Sequence, residues 1–398
     1  MSIFAFLLTA LAILLFIPIA ILFMQLFMAC LQSRNYKSLA IDYTKKRPSI
    51  AIVVPAHNEA GVIEKTLSSL LPQLTTKDKV IVIADNCSDN TAEIAKNMGA
   101  NAIERFSETH RGKGYALDFA IQNLKQQPPE IIIIVDADCV VSTNLVDVLA
   151  RKCQLLQKPI QAKYDMEFMS KGSLKKQLTA FSWLIKNYVR PIGNRAFNFP
   201  CQLMGTGMAF LWADISRCQL ASGHLVEDMK LGLDLAQINK APVFCEEAKV
   251  VSYFPESEEG ITTQRTRWEH GHLGIIMHEA PALIWRAIQS KNLDMFMMTL
   301  DIIVPPIALL FILTVSMFIT SLLFFIWSGL QSAFLVNAIN VFLLGLGIFL
   351  AWLKYGQSII SLKSVLLAPL ILLSKLPIYI GFIFNRQVEW VKSQRDSK

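Results

Sequence analysis

Charged residues are scarce in this sequence, and the scarcity is uneven. Asp, Glu, Lys and Arg make up 17% of the 398 residues, whereas soluble domains have about a quarter. The middle of the chain is as polar as an ordinary enzyme, so the deficit belongs to the two apolar ends. This distribution argues against a chain that is soluble throughout and indicates one polar domain between membrane segments.

Disulfide and zinc signatures are also missing. The seven cysteines are odd in number and scattered, without a CxxC pair, which argues against a disulfide framework and fits a reducing cytosol. His270 and His272 lie two residues apart, and helical positions at that spacing do not face one point. We therefore expect these two histidines, together with His57, to be surface or structural residues.

The sequence lacks a dense basic stripe. Its net charge is +7, but the lysines and arginines gather near the ends of the apolar segments and do not alternate with aromatic residues. This pattern is typical of the cytoplasmic flanks of a membrane protein. We therefore expect membrane lipid, and no nucleic acid, as a partner.

The amino-terminal segment, residues 1–30, is predicted to be a transmembrane helix. Residues 3–29 are almost uninterruptedly apolar and long enough to cross a bilayer. A cleaved signal peptide is the weaker alternative, because no positive charge precedes the run. The basic linker that follows, 31–48, places the next domain in the cytoplasm by the positive-inside bias. We expect a multi-pass protein of the cell (inner) membrane.

The carboxy-terminal third is predicted to return to the membrane. Residues 273–300 mix apolar and polar positions at helical spacing, which indicates an interfacial amphipathic helix. Residues 301–386 form a membrane region, and 387–398 form a basic cytoplasmic tail. Two spans are expected at 301–327 and 333–353. The last apolar stretch, 365–385, is interrupted by Lys375 and Pro377 and is either a third crossing or a re-entrant or in-plane hairpin.

The polar middle, residues 49–272, alternates strand-like and helical patterns. Such alternation predicts an α/β domain, doubly wound around a mostly parallel sheet. The four clearest strand patterns are IAIVVP (50–55), KVIVIAD (79–85), NAIERF (101–106) and IIIIVDADC (131–139).

The fourth strand pattern ends in two carboxylates, Asp136 and Asp138. In an open α/β sheet, ligands bind outside the carboxyl ends of the strands. Two carboxylates there repel each other unless a cation relieves them, and Mg²⁺ or Mn²⁺ held by carboxylates and substrate phosphates would do so. The competing interpretation is an ordinary surface loop, since Asp-x-Asp is common.

Three further loops follow strand patterns or open helices. Glu59 in PAHNEA suits a helix N-terminus, and Asp85 in DNCSDNT lies at a strand end where it could accept from a nucleobase. Lys113 in RGKGYAL lies between glycines at a helix start, where backbone amides and an ammonium can approach a phosphate. Each loop alone also fits a plain turn or cap.

Two motifs follow in the second half of the domain. Glu227 and Asp228 open a helical pattern, which is either a favourable helix start or a pair of functional acids. Gln264, Arg267 and Trp268 fall on one helical face. The Arg fork suits diphosphate oxygens and the indole suits a sugar face, whereas a membrane-anchoring helix would explain the same residues.

Taken in order, PAHNE, ADNCSDNT, RGKGYAL, DAD, VED and QRTRW resemble family 2 inverting glycosyltransferases of the membrane-embedded, cellulose-synthase-like kind. Hyaluronan, chitin and poly-N-acetylglucosamine synthases belong to this kind. The resemblance implies a GT-A fold flanked by transmembrane helices. It further implies the following site residues: Pro55, Glu59, Asp85, Lys113, Asp136 and Arg267 at the nucleotide-sugar; Asp138 on Mg²⁺ or Mn²⁺; Asp228 as general base beside Glu227; and Gly205, Thr206, Gly207, Gln264 and Trp268 at the acceptor.

The implied function is sugar transfer with inversion from a nucleotide-sugar, expected to be a UDP-sugar, at the cytoplasmic face. The acceptor would be a lipid-linked or growing polysaccharide. A single-transfer glycolipid synthase, similar to ceramide glucosyltransferases, is the alternative within this class. The alternative from another class is a catalytically silent membrane subunit of a polysaccharide export complex, which the full set of carboxylates disfavours. Export or polymerisation partners stay open.

Overall fold

The computed structural model describes residues 3–32, 41–169, 172–384 and 386. The predicted basic linker falls partly, and the predicted basic tail wholly, outside these ranges. Both therefore stay predictions.

The polar domain is built on one twisted sheet. In the described residues its strands lie side by side in the order β3-β2-β1-β4-β7-β6-β8-β5. The strands are β1 Ile50–Ala56, β2 Lys79–Asp85, β3 Asn101–Arg105, β4 Ile131–Ile134, β5 Val140–Val141, β6 Ile160–Glu167, β7 Met208–Leu211 and β8 Val243–Tyr253.

The four strands predicted from the sequence form the parallel half of this sheet. β1 pairs in parallel with β2 and β4, and β2 pairs in parallel with β3. All four residues of β4 are buried, because β-branched side chains suit a strand covered on both faces. The carboxyl ends of these strands meet at one edge, as expected for a site at that edge.

The other half of the sheet contains a reversed strand that the sequence did not reveal. β7 runs antiparallel to both β4 and β6, while β6 and β8 are parallel. Met208 at the start of β7 lies opposite Ile134 at the end of β4. The loop before β7 is therefore held beside the loop that follows β4.

Helices cover both faces of the sheet and continue into the membrane segments. Apolar side chains of two helices, at 63–70 and 145–156, pack on one face, and those of helices at 113–124 and 227–237 pack on the other. The sheet is doubly wound, as predicted. The helices are α1 Ile3–Leu31, α2 Ile63–Leu70, α3 Thr91–Asn97, α4 Lys113–Leu124, α5 Leu145–Leu156, α6 Leu174–Leu184, α7 Arg190–Ala196, α8 Trp212–Ile215, α9 Glu227–Gln237, α10 Glu258–His278, α11 Ala280–Gln289, α12 Leu293–Ile302, α13 Ile307–Ser328, α14 Ser332–Ala351, α15 Leu362–Leu366, α16 Ala368–Leu372 and α17 Leu376–Phe384.

Within the described residues, three helical segments are long and apolar enough to cross a membrane: Ile3–Leu31, Ile307–Ser328 and Ser332–Gly356. They agree with the three spans expected from the sequence. By length and composition, the predicted transmembrane helices on both sides of the polar domain are confirmed. The second begins at 307 and not 301, because Pro305 and Pro306 separate it from α12.

The predicted interfacial helix at 273–300 is not one helix. The segment comprises the end of α10 followed by α11 and α12. Pro281 lies in the first turn of α11, where proline is tolerated but cannot continue the preceding helix. The Asn292 side chain accepts a hydrogen bond from the Met295 amide at 2.9 Å and so caps α12. The position of residues 273–300 at the membrane interface stays a prediction.

The last apolar stretch is divided into short pieces. A 3₁₀ turn, Leu373–Lys375, joins α16 to α17. The apolar helical run Leu373–Phe384 is short, but α16 leads into it without a break. Both arrangements that the sequence left open, a third crossing and a re-entrant or in-plane hairpin, therefore stay predictions.

Candidate active site

A cavity of about 520 Å³ lies at the carboxyl ends of β1, β2 and β4. It is the place where a doubly wound sheet offers a crevice for ligands. Most residues singled out in the sequence line it: Pro55, Glu59, Asp85, Lys113, Asp136, Asp138, Gly205, Glu227, Asp228, Gln264, Arg267 and Trp268.

The two carboxylates after β4 face the same cavity but have different neighbours. The Asp136 Oδ1 atom lies 2.5 Å from the Lys113 Nζ atom, and the Asp136 amide donates to the Thr206 hydroxyl at 3.0 Å. The Asp138 Oδ2 atom accepts a hydrogen bond from the Ser252 hydroxyl at 3.0 Å. Asp136 thus neutralises the Lys113 ammonium, whereas Asp138 accepts a hydrogen bond from the neutral Ser252 hydroxyl.

The donor set here fits a hard divalent cation shared with a substrate. The described residues contain no cluster of three or more His, Cys, Asp or Glu side chains that would enclose a metal. Mg²⁺ is commonly held by one or two carboxylates while substrate phosphates and waters complete the shell. Asp138, with Asp136 beside it, supplies such oxygens, and the cavity leaves room for phosphates.

Lys113 is a cation that lies among the carboxylates of the site. It opens α4 directly after Gly112, whose φ of 119° requires glycine, and its ammonium donates to the Gly205 carbonyl at 2.7 Å. Burial alone would lower the pKa of Lys113, but the carboxylates of Asp136 and Glu227 raise it above its ordinary value. Lys113 therefore stays charged and is available to a diphosphate.

Glu227 and Asp228 occupy the first turn of α9. Burial and the neighbouring Asp228 raise the pKa of Glu227 to about 7, against the opposing effect of Lys113. Burial likewise raises the pKa of Asp228, while Lys113 and the Met229 amide, which donates to its Oδ1 at 2.8 Å, counteract the rise. Raised carboxylate pKa values in a cleft are typical of proton acceptors.

The far end of the cavity is formed by the loops after β1 and β2. Asp85 ends β2, and its Oδ1 atom lies 2.5 Å from a guanidinium nitrogen of Arg105. The Glu59 amide donates to the Thr91 hydroxyl at 2.9 Å. Pro55 lies in β1 and pairs with Ile83 in the register of β2. These contacts fix the rim of the cavity at two neighbouring strand ends.

The helix α10 brings Gln264, Arg267 and Trp268 to the opposite wall, on one face as predicted. The Gln264 Oε1 and Arg267 Nε atoms are buried without a hydrogen-bond partner in the described part of the chain. Leaving such groups unsatisfied costs about 1–3 kcal/mol each, so a polar ligand would satisfy them. The Trp268 ring lies 5.2 Å from the Trp183 ring.

Thr206 and Gly207 do not line the cavity, although they were expected at the acceptor. Thr206 is fully buried, and its hydroxyl holds the Asp136 amide. Gly207 has a φ of 64°, and a Cβ atom there would lie 2.6 Å from the Val250 Cγ2 atom. Both residues position the backbone behind the carboxylates, whereas Gly205 reaches the cavity.

Several cavity residues were not selected from the sequence. Trp183, Lys186 and Arg190 come from α6, the π-helical turn Ile185–Val189 and α7. These residues are spaced by three and four positions, as expected for one face of a helix. The same spacing pointed to Gln264, Arg267 and Trp268, so a sequence signal for these residues was present. Other cavity residues that were not selected as site residues include Asp301, Gln202 and His272.

Asp301 ties this wall to the first transmembrane candidate. Its Oδ1 atom accepts from Arg190 at 2.8 Å and from the Gln25 amide of α1 at 2.6 Å, and its Oδ2 atom accepts from Gln202 at 3.1 Å. The His272 Nε2 atom lies 2.8 Å from the Ile302 carbonyl oxygen, a structural contact. The apolar helix α1 is therefore connected to the cavity wall by hydrogen bonds.

Comparison with known proteins identifies relatives of the polar domain. Residues 48–271 match the family model described as Glycosyltransferase like family 2. A poly-β-1,6-N-acetyl-D-glucosamine synthase of Staphylococcus epidermidis is 22% identical over 259 residues, which cover 63% of this chain and 60% of that protein. The corresponding synthase of Staphylococcus aureus is 34% identical over 97 residues, 24% of this chain and 23% of that protein.

Among solved structures, a mannosyltransferase from Pyrobaculum calidifontis in complex with GDP-Man and Mn²⁺ is similar over 96% of this chain and 100% of that one. The TM-score is 0.53 at 17% identity, so the likeness concerns the fold and confirms the GT-A type. The family match covers more than half of the sequence. The chain therefore belongs to glycosyltransferase family 2.

Proposed function

We propose that this chain is a metal-dependent membrane enzyme that transfers a sugar, with inversion, from a nucleotide-sugar to a lipid-linked or growing polysaccharide acceptor. The observation that carries the proposal is the shared cavity. Asp136 and Asp138 from one loop, and Asp228 from a distant part of the sequence, line it together with Lys113. A catalytically silent subunit would have no need to gather these half-buried charges at one point.

The donor would lie across the strand ends. Asp85, with Pro55 and Glu59, lines the part of the cavity suited to the nucleoside, and Asp85 would accept from a uracil N–H. Lys113 and Arg267 would contact the diphosphate. The related fold from Pyrobaculum calidifontis holds GDP-Man and Mn²⁺, which supports a nucleotide-sugar and a divalent cation as the ligands of this chain. We propose UDP as the carrier because of Asp85.

The chemistry follows from the positions of the charges. An acceptor hydroxyl oxygen forms a bond to the anomeric carbon on the face opposite the diphosphate, and the bond from that carbon to the phosphate oxygen breaks. The hydroxyl proton passes to Asp228, and the electron pair leaves with the nucleoside diphosphate. Lys113 and Arg267 stabilise the charge that develops on the phosphate oxygens. A cation on Asp138 would supply further charge neutralisation.

One displacement of this kind inverts the anomeric centre and needs no enzyme nucleophile. The role of Glu227 is electrostatic, since its charge and that of Asp228 influence each other. Gln264 and Trp268 would hold the acceptor sugar, the amide by a hydrogen bond and the indole by its apolar face. Gly205 would lie beside this sugar, because a Cβ atom at this position would be 3.4 Å from the Asp228 Oδ2 atom.

We further propose that the catalytic domain faces the cytoplasm of the cell (inner) membrane, because the basic residues flank the apolar segments on that side. The staphylococcal relatives are polysaccharide synthases, and the chain spans about 60% of the length of the Staphylococcus epidermidis protein. The proposal of a polysaccharide acceptor rests on this likeness. A single lipid acceptor, as in a glycolipid synthase, is favoured by a second cavity beside the membrane helices.

The proposal is tested with the full chain purified in detergent and supplied with UDP- and GDP-sugars, Mn²⁺ or Mg²⁺, and candidate acceptors. We expect metal-dependent release of the nucleoside diphosphate from one UDP-sugar and a product whose anomeric configuration, read by NMR, is opposite to that of the donor. Release that proceeds equally in EDTA, or a product with retained configuration, would contradict the proposal.

A further inference from the structure

A second cavity adjoins the active-site cavity on the side of the membrane helices. Its volume is about 90 Å³, several times the roughly 10–15 Å³ that one water needs. Trp183, Lys186 and Trp268 line both cavities, so the two share a wall. The far side of the second cavity includes Ile307, the first residue of the membrane span α13, and Lys375 of the short apolar run.

The second cavity carries an excess of positive charge. Two of its cations are balanced, since Arg190 pairs with Asp301 at 2.8 Å and Arg265 lies 3.8 Å from Glu269. The ammonium groups of Lys186 and Lys375 form no hydrogen bond or ion pair within the described ranges of the chain. Lys375 is nevertheless only 9% exposed.

Two lysine ammonium groups in one cavity favour the binding of an anion. Burial lowers the pKa of both lysines, that of Lys375 to about 7, and a negatively charged ligand that accepts hydrogen bonds from them would stabilise their charged forms. Phosphate oxygens are suitable partners for an ammonium. A phosphate in this cavity would contact Lys186 on the side of the active site and Lys375 on the side of the membrane helices.

We propose that the second cavity binds the phosphate of a lipid acceptor, with Lys186 and Lys375 as its partners. This inference rests on the proposed transferase function and specifies its acceptor class. The lipid chains would leave past Ile307, where the span α13 begins, and the run Leu373–Phe384, which is apolar apart from Ser374 and Lys375. Because Lys186 lines both cavities, the reacting oxygen of the acceptor would face Asp228.

The apolar surroundings distinguish this site from one for free phosphate or for the donor. Pro305, Pro306 and Ile307 provide a wall without charge next to the two lysines. Lys375 does not line the active-site cavity, so it would not contact the donor diphosphate. A ligand that uses both lysines must extend from the active site towards the bilayer, as a phospholipid-like acceptor would.

The test measures binding to the full chain in detergent by titrating three probes. These are dioleoyl phosphatidic acid, dioleoylglycerol with the same chains but no phosphate, and inorganic phosphate without chains. We expect phosphatidic acid to bind saturably and at least about 10-fold more tightly than either other probe. Each of Lys186→Gln and Lys375→Gln should weaken its binding about 10-fold, equivalent to about 1.4 kcal/mol.

Two controls accompany these variants. Lys363→Gln removes an exposed lysine of α15 and should leave the affinity unchanged, and Lys375→Arg, which keeps the charge, should retain most of it. Equal weakening in Lys363→Gln, or dioleoylglycerol or inorganic phosphate binding as tightly as phosphatidic acid, would overturn the inference. UDP affinity, measured in the same preparation, is a separate readout. If the wild type did not bind UDP, the proposed transferase function would be overturned. Lys375→Gln should bind UDP as tightly as the wild type.

Discussion

The pH dependence of transfer offers a sharp test of the paired acids on α9. Asp228 must be ionised to accept the acceptor proton, and Glu227 has a pKa of about 7 because it is buried beside Asp228. Interacting acids titrate as a pair, and burial raises the pKa of both, that of Glu227 to about 7. We therefore expect an acidic limb that begins near pH 7 and continues below it as the pair takes up protons.

Lys113 determines where this acidic limb lies. A Cβ atom at Gly205 would be 3.4 Å from both the Lys113 Nζ atom and the Asp228 Oδ2 atom. The two charges are thus no more than about 7 Å apart, inside one Debye length. Lys113 lowers the pKa of both acids. Replacing it with Gln should therefore move the acidic limb to higher pH and reduce the plateau, since the diphosphate also loses a cation.

The assay is release of nucleoside diphosphate at saturating donor between pH 5.5 and 9, with Mn²⁺ in excess. Lys125→Gln is the matched control, because Lys125 lies exposed at the other end of α4, and its profile should match the wild type. A profile that is flat below pH 7, or a limb that moves to lower pH in Lys113→Gln, would refute the assignment of these acids.

Further predictions concern stability and the metal. Gly207→Ala should lower the melting temperature, since a left-handed backbone costs a non-glycine residue about 1–2 kcal/mol, while Gly223→Ala, with open space around it, should not. Arg190→Met should lower the free energy of unfolding by about 3–5 kcal/mol, because it leaves the buried Asp301 charge unpaired. The exposed Arg217→Met serves as its control, and equal melting temperatures would contradict this reasoning. Adding EDTA should weaken UDP binding, and Mn²⁺ should restore it in calorimetric titrations.

The parallel half of the fold was predictable from local sequence, whereas strands β6 and β7 of the other half were not. β1, β2 and β4 are runs of β-branched residues, and a strand buried on both faces is composed in this way. β6, with Lys163, Asp165 and Glu167 between apolar residues, is less apolar, and β7 has four residues. Their pairing depends on contacts distant in sequence, which local patterns do not encode.

The candidate site divides in a similar way. Residues at strand ends and helix starts, such as Asp136 and Asp228, could be selected because the fold class fixes where those ends meet. Thr206 and Gly207 were adjacent in sequence to Gly205 but face away from the cavity, since only the reversal before β7 decides their direction. Lys186 had a helical spacing signal, but its proximity to α10 arises only in the packed structure.

The most direct test of the shared cavity separates chemistry from donor binding. Turnover and UDP affinity are measured for the wild type, Asp228→Asn, Asp138→Asn and the control Asp147→Asn, whose side chain pairs with Arg151 on α5. We predict that Asp228→Asn lowers turnover at least about 100-fold, as expected on loss of a general base, with UDP affinity nearly intact. Asp138→Asn should instead weaken Mn²⁺-dependent UDP binding. Retained turnover in Asp228→Asn, or unchanged metal dependence in Asp138→Asn, would contradict the account.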